Sequence, residues 1–303
     1  MRPSEPPFPT GISGKTEPMT GLVDGLVAPN PGPLTLQGTR TWLVGADRLL
    51  IIDPGPAQDE HMHQLMHAVA GRAVDGILLT HAHADHSAAA PRLGRELGAP
   101  ILASSSTLAR LSLSGRVLAE GDVIPVDASA RAERVTLQVL ETPGHSADHL
   151  SFLILPDRWM FTGDLVLGSG SSAVLHPDGR VGEYLASLRK LQALRPTRLL
   201  PGHGPEVADA EAKLEEYRLH RLERERQIES AIAAGIKTVG DIRASVYGPL
   251  PAGLEAAADA SVSAHLAHLT ERGIDAPAPG PGLLEETESE GAEWFDSGGG
   301  GAR

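Results

Sequence analysis

Thr80-His81-Ala82-His83-Ala84-Asp85-His86 follows directly on the apolar run Gly76-Ile77-Leu78-Leu79. The run is short and aliphatic and reads as a strand over 76–80, with a helix over 87–97 beyond the histidines. His81 and His83 stand two apart, so an extended chain points both to one side. Asp85 and His86 follow at the opening of the helix. Four groups that bind divalent ions through imidazole nitrogen or carboxylate oxygen therefore converge on one small volume.

Three more groups of the same kind lie further on. His145 stands in Thr142-Pro143-Gly144-His145, past the alternating run Val135–Leu140; Asp164 closes Trp159-Met160-Phe161-Thr162-Gly163-Asp164; His203 lies in Pro201-Gly202-His203-Gly204, after Thr197–Leu200. Each falls where a predicted strand gives way to a glycine or proline turn, where polar groups are displayed from a rigid sheet. Five histidines and two aspartates suffice for two ions with positions left for water. Asp53, in Ile52-Asp53-Pro54-Gly55, and His149, in His145-Ser146-Ala147-Asp148-His149, are candidates for groups that touch and orient the ligands. His61, His63 and His67 share the predicted helix 59–70 but lack a third ligand nearby. They read as a solvated face, as do His176, His220, His265 and His268.

The chain of 303 residues can bury a large core, as one main domain of about 200 residues with a smaller one beside it. It has no cysteine, which excludes disulfides and zinc-thiolate sites. Residues 1–20 are rich in proline and polar side chains and lack an apolar core. They read as a flexible N-terminal segment with neither signal peptide nor membrane span, and a cytoplasmic location is expected. The net charge is −13, but Asp275, Glu285, Glu286, Glu288, Glu290, Glu293 and Asp296 face only Arg303 in the last 29 residues. About six of the negative charges thus belong to a Pro/Gly-rich segment, 275–303, that reads as an acidic disordered tail. No basic stripe for nucleic acid is visible in the rest.

Elements alternate twice along the chain. Residues 41–44 and 48–52 form a predicted hairpin, followed by helix 59–70, strand 76–80, helix 87–97, strand 100–103 and helix 105–111. Then come strands 134–141, 149–155 and 159–163, helix 181–194 and strand 197–200. Val181, Tyr184, Leu185, Leu188, Leu191 and Leu194 recur at helical spacing, an apolar stripe made to pack on a sheet. After Pro205 the pattern is helical only, over 208–234, 238–247 and 254–273. The order predicts an α/β chain with two sheets between helices and a small helical C-terminal domain.

The motif His81-x-His83-x-Asp85-His86, with His145, Asp164 and His203 in that order, resembles the signature of the metallo-β-lactamase fold, and the similarity covers most of residues 30–275. The resemblance implies a four-layer αββα sandwich over 21–207. It also implies two zinc ions, with manganese or iron(II) as substitutes in one site: His81, His83 and His145 on one, Asp85, His86 and His203 on the other, Asp164 between them. The stretches Asn30–Thr39, Gly163–Gly168, Tyr217–Arg221, Thr238–Ile242 and Ser263–Leu269 are similar to the subgroup of β-lactamase-like protein two, an endoribonuclease. That subgroup carries a winged-helix-like C-terminal domain, here 208–274, and its likeness also suggests a homodimer. Arg40 departs from the asparagine usual in the subgroup. Residues 218–273 hold seven Lys or Arg against seven Asp or Glu, a neutral surface that suits packing or dimerisation as well as RNA.

The resemblance implies a metal-dependent hydrolase in which a hydroxide bridging the ions attacks, Asp164 joins the ions and Asp85 also steers the proton. Single-stranded RNA is the first substrate expectation. A small ester or thioester, as in glyoxalase II, is the alternative, and a lactone or β-lactam follows behind, since zinc β-lactamases generally lack the carboxylate that Asp164 provides. Nucleases with a large insertion in the second half are excluded, because 38 residues separate Asp164 from His203. A non-catalytic binding module disagrees with the complete ligand set.

Overall fold

The computed structural model describes residues 22–129, 131–251 and 253–282. The segment expected to be flexible, 1–20, and the tail beyond Gly282 lie outside them. Strands β1 (Val23–Val27), β2 (Arg40–Val44), β3 (Arg48–Ile52), β4 (Ala73–Leu78), β5 (Ile101–Ala103) and β6 (Arg116–Val117) form one six-stranded sheet in that order. The second sheet has the order β11-β10-β9-β8-β7, from β7 (Val123–Val126), β8 (Val135–Glu141), β9 (Leu150–Leu155), β10 (Trp159–Gly163) and β11 (Arg198–Pro201). Strands β3 to β6 pair in parallel, as do β10 and β11; the other pairs are antiparallel.

Alternation along each strand sorts its side chains into two layers of core. Trp42, Leu50, Ile52 and Leu78 meet Leu137, Val139, Phe152, Ile154, Phe161 and Leu200 between the sheets. Their neighbours Leu43, Leu49, Ile51 and Ile77 face outward onto Met62, Leu65 and Val69 of α1 (Asp59–Val69) and Leu93 of α3 (Ala90–Leu97). On the other side Leu153, Met160 and Leu199 face Tyr184, Leu185, Leu188 and Leu191 of α5 (Val181–Leu194), and Leu214 and Tyr217 of α6 (Ala210–Ala233). The stripe read on residues 181–194 is therefore the contact face of α5, and the four layers are helix, sheet, sheet, helix.

Three strands escape the sequence pattern for local reasons. In β1, Asp24 and Gly25 interrupt the apolar run, yet all five residues pair with β2, and a Cβ on Gly25 would meet the Trp42 ring at 2.9 Å. Pro125 interrupts β7, which is tolerated because β7 is an edge strand. β6 has two residues only. The helix expected over 87–97 starts earlier, as α2 (Ala84–Ser87), and restarts as α3 with Pro91 in its first turn. Asp85 and His86 thus ride on a helical turn.

The C-terminal helices are α6, α7 (Val239–Tyr247) and α8 (Glu255–Glu271). Asp209 caps α6 by accepting from Ala212 N, and Thr238 caps α7 by accepting from Asp241 N. Ile228, Ile242, Val262, Leu266 and Leu269 make their shared core. Among the described residues this segment is helical, with no strand pair to form a wing. The stretch 275–282, expected to open the tail, runs beside α8, where Gly280 N donates to Ser263 Oγ at 3.0 Å. Two histidines assigned to a solvated face are buried instead: His61 lies under Gly55 with Nε2 2.9 Å from Pro54 O, and His265 is enclosed in the C-terminal helices. His63, His67 and His220 are exposed.

Trp42 and Phe161 meet edge to face across the sheets at 5.9 Å, and Phe152 lies fully buried beside them. Replacing Phe152 by alanine leaves a cavity that neighbouring strands cannot close, so we expect urea unfolding to show a loss of about 3–5 kcal/mol.

Candidate metal centre

All seven predicted ligands stand beyond the C-terminal ends of strands on one edge of the sandwich: His81 to His86 after β4, His145 after β8, Asp164 after β10 and His203 after β11. Asp53 closes β3 in a left-handed conformation, φ 49°, uncommon for a residue with a side chain. Its Oδ1 accepts from Thr80 N at 2.8 Å, and its Oδ2 accepts from Thr80 Oγ1 at 2.7 Å and stands 2.8 Å from His86 Nδ1. Gly144, φ 137°, lets the β8 turn lie against the Tyr184 backbone and carry His145 inward. Gly202 is required by contact, since a Cβ there would meet His86 Cε1 at 2.6 Å and Asp164 Oδ1 at 2.7 Å.

The ligand atoms fall into three overlapping groups: His81, His83 and His145; Asp85, His86 and His203; and His81, His86 and Asp164. His83 Nδ1 lies 2.9 Å from His81 Nε2 and 3.1 Å from His145 Nε2. His203 Nε2 is 3.2 Å from both His86 Nε2 and Asp85 Oδ2. Asp164 reaches His86 Nε2 with Oδ1 at 3.3 Å, and His203 Nε2 with Oδ2 at 3.3 Å.

This donor set fits divalent metal on three counts. Ligand atoms about 2.0–2.1 Å from a tetrahedral ion lie about 3.3–3.4 Å from one another, close to the separations found here. The outer nitrogens of four rings are engaged: His81 Nδ1 with Thr80 Oγ1, His86 Nδ1 with Asp53, His145 Nδ1 with Ala173 O at 2.7 Å and His203 Nδ1 with Gly38 O at 3.3 Å. Carbonyl oxygens cannot donate, so His145 and His203 carry their proton on Nδ1 and aim Nε2 into the cluster. Asp164 Oδ1 is buried without a hydrogen-bond donor.

The electrostatics agree. Burial and the neighbouring rings hold His81 and His145 below the usual imidazole range, so they are neutral donors. For His86 and His203 burial acts downward, but the Asp164 and Asp85 carboxylates outweigh it; His203 is pushed up to about 9 and His86 is also raised. Burial alone would raise Asp85 and Asp164, but His86 and His203 hold both below the usual carboxylate range.

The sequence model of the Metallo-beta-lactamase superfamily matches residues 34–203, which contain all seven groups. The chain belongs to the metallo-β-lactamase superfamily. Within it, the chain is 31% identical over 269 residues to a protein named Beta-lactamase-like protein 2 homolog from Caenorhabditis elegans, covering 85% of this chain and 87% of that one. It is 33% identical over 242 residues to an atrochrysone carboxyl ACP thioesterase of Aspergillus fumigatus, covering 74% of this chain and 72% of the other. A β-lactamase domain protein from Burkholderia ambifaria has a similar structure, with a TM-score of 0.73 at 22% identity over 88% of this chain and 91% of the other. Like other members of the superfamily, the chain is a metal-dependent hydrolase.

Both orienting candidates lie at the centre of this superfamily member. Asp53 ties β3 to Thr80 and His86, as described. His149 is buried and neutral; its Nε2 accepts from Asp164 N at 3.2 Å while its Nδ1 meets Thr142 Oγ1 at 2.9 Å. Arg40 packs behind His203, with Nε donating to Gly204 O and the guanidinium 5.3 Å from the Trp42 ring centre. Several contributors gave no signal of their own. Thr39 Oγ1 donates to Asp85 Oδ2 at 3.3 Å and is itself gripped by Asn30. Ser172 Oγ donates to Asp164 O at 2.5 Å, and Asp178 Oδ2 lies 4.0 Å from His83 Nε2. Only Thr80, next to His81, was within reach of a sequence argument.

The His203 value makes metal uptake pH-dependent. Its pKa in the fold, about 9, lies above the ordinary 6.5, so in chelator-treated protein the stability it contributes is complete below pH 6.5 and lost as pH rises through 9. Metal must displace that proton. Between pH 6.5 and 9 we expect zinc affinity, measured by competition with a chelator, to rise by at least about tenfold per pH unit and then flatten, while chelated protein loses stability.

Proposed function

We propose that this chain hydrolyses an acyl ester or thioester with two divalent ions, zinc first among them. His81, His83 and His145 would hold one ion, Asp85, His86 and His203 the other, with Asp164 available to both. The observation that carries this reading is the convergence of those seven groups, with the outer nitrogens of four of the five rings anchored on the protein. When bound, the ions supply Lewis acidity, which lowers the pKa of water towards neutrality and polarises a scissile carbonyl. Asp85 is the more open of the two carboxylates among the seven groups, and its Oδ2 is steadied by Thr39. It would take the proton of the attacking water and, as the acyl C–O or C–S bond breaks, hand that proton to the departing alkoxide or thiolate.

Charge supports the acyl substrate. Arg110, whose partner Asp178 also lies 4.0 Å from His83, is bound to Asp148 and Asp178. On α6, Lys213, Arg218 and Arg226 pair with Glu216, Glu215 and Glu223, and Arg243 of α7 pairs with Asp259. An RNA reader needs cations offered to phosphates, and these are spent on carboxylates. The relative named as an ACP thioesterase supports the same reading. Phosphodiester cleavage of single-stranded RNA is the second reading. It rests on the resemblance of Tyr217–Arg221, Thr238–Ile242 and Ser263–Leu269 to the subgroup of β-lactamase-like protein two; the C. elegans relative that bears that name aligns over 269 residues, beyond the 170 of the superfamily match.

The test is a panel of S-lactoylglutathione, an acyl-CoA, an acyl-homoserine lactone, nitrocefin and single-stranded RNA with zinc-loaded protein. We expect thioester turnover that is insensitive to salt. Asp164→Asn should lower it by more than the about 10–100-fold typical of changes outside the ligand shell, with loss of bound zinc. RNA cleavage without thioester turnover would replace the acyl reading with the second one. Full metal content and unchanged turnover in Asp164→Asn would overturn the metal assignment.

A further inference from the structure

The loop from Asp164 to Ala173 joins three ligands of the centre. Asp164 opens it, Ala173 O near its end accepts from His145 Nδ1, and Gly168 N in its middle donates to His203 O at 2.9 Å. Ser172 folds back across it, its hydroxyl donating to Asp164 O. Thr162 of β10 also donates to Val166 O at 2.7 Å, but two of the contacts that fix this loop come from outside the two sheets.

Two residues of α6, one turn apart and so on one face of the helix, reach it. The Tyr217 hydroxyl accepts from Leu167 N at 3.0 Å. The Arg221 guanidinium donates from Nη2 to Ser172 O at 2.9 Å and lies 5.1 Å from the ring centre of Tyr184. Tyr184 in turn donates to Leu165 O at 2.6 Å, next to Asp164. Arg221 is 4% exposed and forms no ion pair among the described residues. A buried guanidinium held by one carbonyl and one ring is costly, and an apolar side chain would fill the same space more cheaply. Its distinctive contribution here is a donor aimed at the ligand loop.

We propose that Arg221, with Tyr217 beside it, is a positioning residue for the metal ligands, so that the C-terminal helices form part of the metal centre's support. Arg221 sets the Ser172 carbonyl, Ser172 sets Asp164, and the neighbouring Ala173 carbonyl sets the His145 ring. The inference rests on the metal assignment proposed above and is independent of the substrate.

The experiment measures zinc release from loaded protein to an excess of chelator, the absorption spectrum of the cobalt-substituted form, and the melting temperature after chelation. Arg221→Met keeps an unbranched stem in the buried space and removes the guanidinium, both its donor to Ser172 O and its place over Tyr184; we expect zinc release about 10–100-fold faster and a changed cobalt spectrum. Tyr217→Phe should shift both in the same direction. Arg224→Ala is the control: Arg224 sits on the same helix, 4.0 Å from the Tyr247 ring centre and bonded to Val246 O, away from the loop. It should lower the melting temperature and leave release unchanged. Wild-type release from folded Arg221→Met, or equal acceleration by Arg224→Ala, would overturn the proposal. Should Arg221→Met not fold, Ser172→Ala decides, because it cuts the contact to Asp164 without touching α6; wild-type release there would also overturn it. Wild-type protein that binds fewer than two equivalents of zinc would instead sink the metal assignment.

Discussion

One buried carboxylate, Asp53, ties the catalytic edge together. It sits in a backbone conformation that costs free energy for any residue with a side chain, and three contacts to Thr80 and His86 hold it there. Through Thr80 it fixes the Nδ1 side of His81, and directly it fixes that of His86. The first turn after β4 is thereby locked to the end of β3, and the rings that open the histidine motif have their inward nitrogens decided before any other element is considered. His145, Asp164 and His203 then need only be brought up from the second sheet to complete the cluster.

The charge pattern follows from that packing. Carboxylates at Asp85 and Asp164 are enclosed among imidazoles, so each keeps its proton off only by holding positive charge close, on His86 and His203 or on bound cations. Protons and metal therefore compete for the same positions. His81 and His145, lacking a carboxylate at hydrogen-bonding distance, remain neutral donors on the other side. The centre is asymmetric in its proton affinity although its ligands are of only two kinds.

Much of this was legible in the sequence because metal ligands must be polar groups on rigid supports, and such groups stand out where an aliphatic run meets a glycine or proline. His145, Asp164 and His203 were found that way, and the stripe from Val181 to Leu194 gave the helix that covers the second sheet. Asp24, Gly25 and Pro125 concealed β1 and β7, since pairing with a neighbouring strand outweighed poor local propensity. His61 and His265 were misread as solvated because one polar ring on a helix does not declare which way the helix faces. Thr39, Ser172 and Arg221 could not be picked out, because a hydroxyl or guanidinium is ordinary until the fold brings a partner from 46, eight or 49 positions away.

The division of ligands between the sheets has a mechanical side. His81, His83, Asp85 and His86 hang from the first sheet, and His145, Asp164 and His203 from the second, with an apolar interface of Trp42, Phe152 and Phe161 behind them. Cations seated there act as rivets through a laminate. With ions bound, the two plies could not slide or peel apart at that end without surrendering them, which leaves the lateral edges, where the short strand β6 and the proline-interrupted β7 end their sheets, as the unfastened borders of the sandwich.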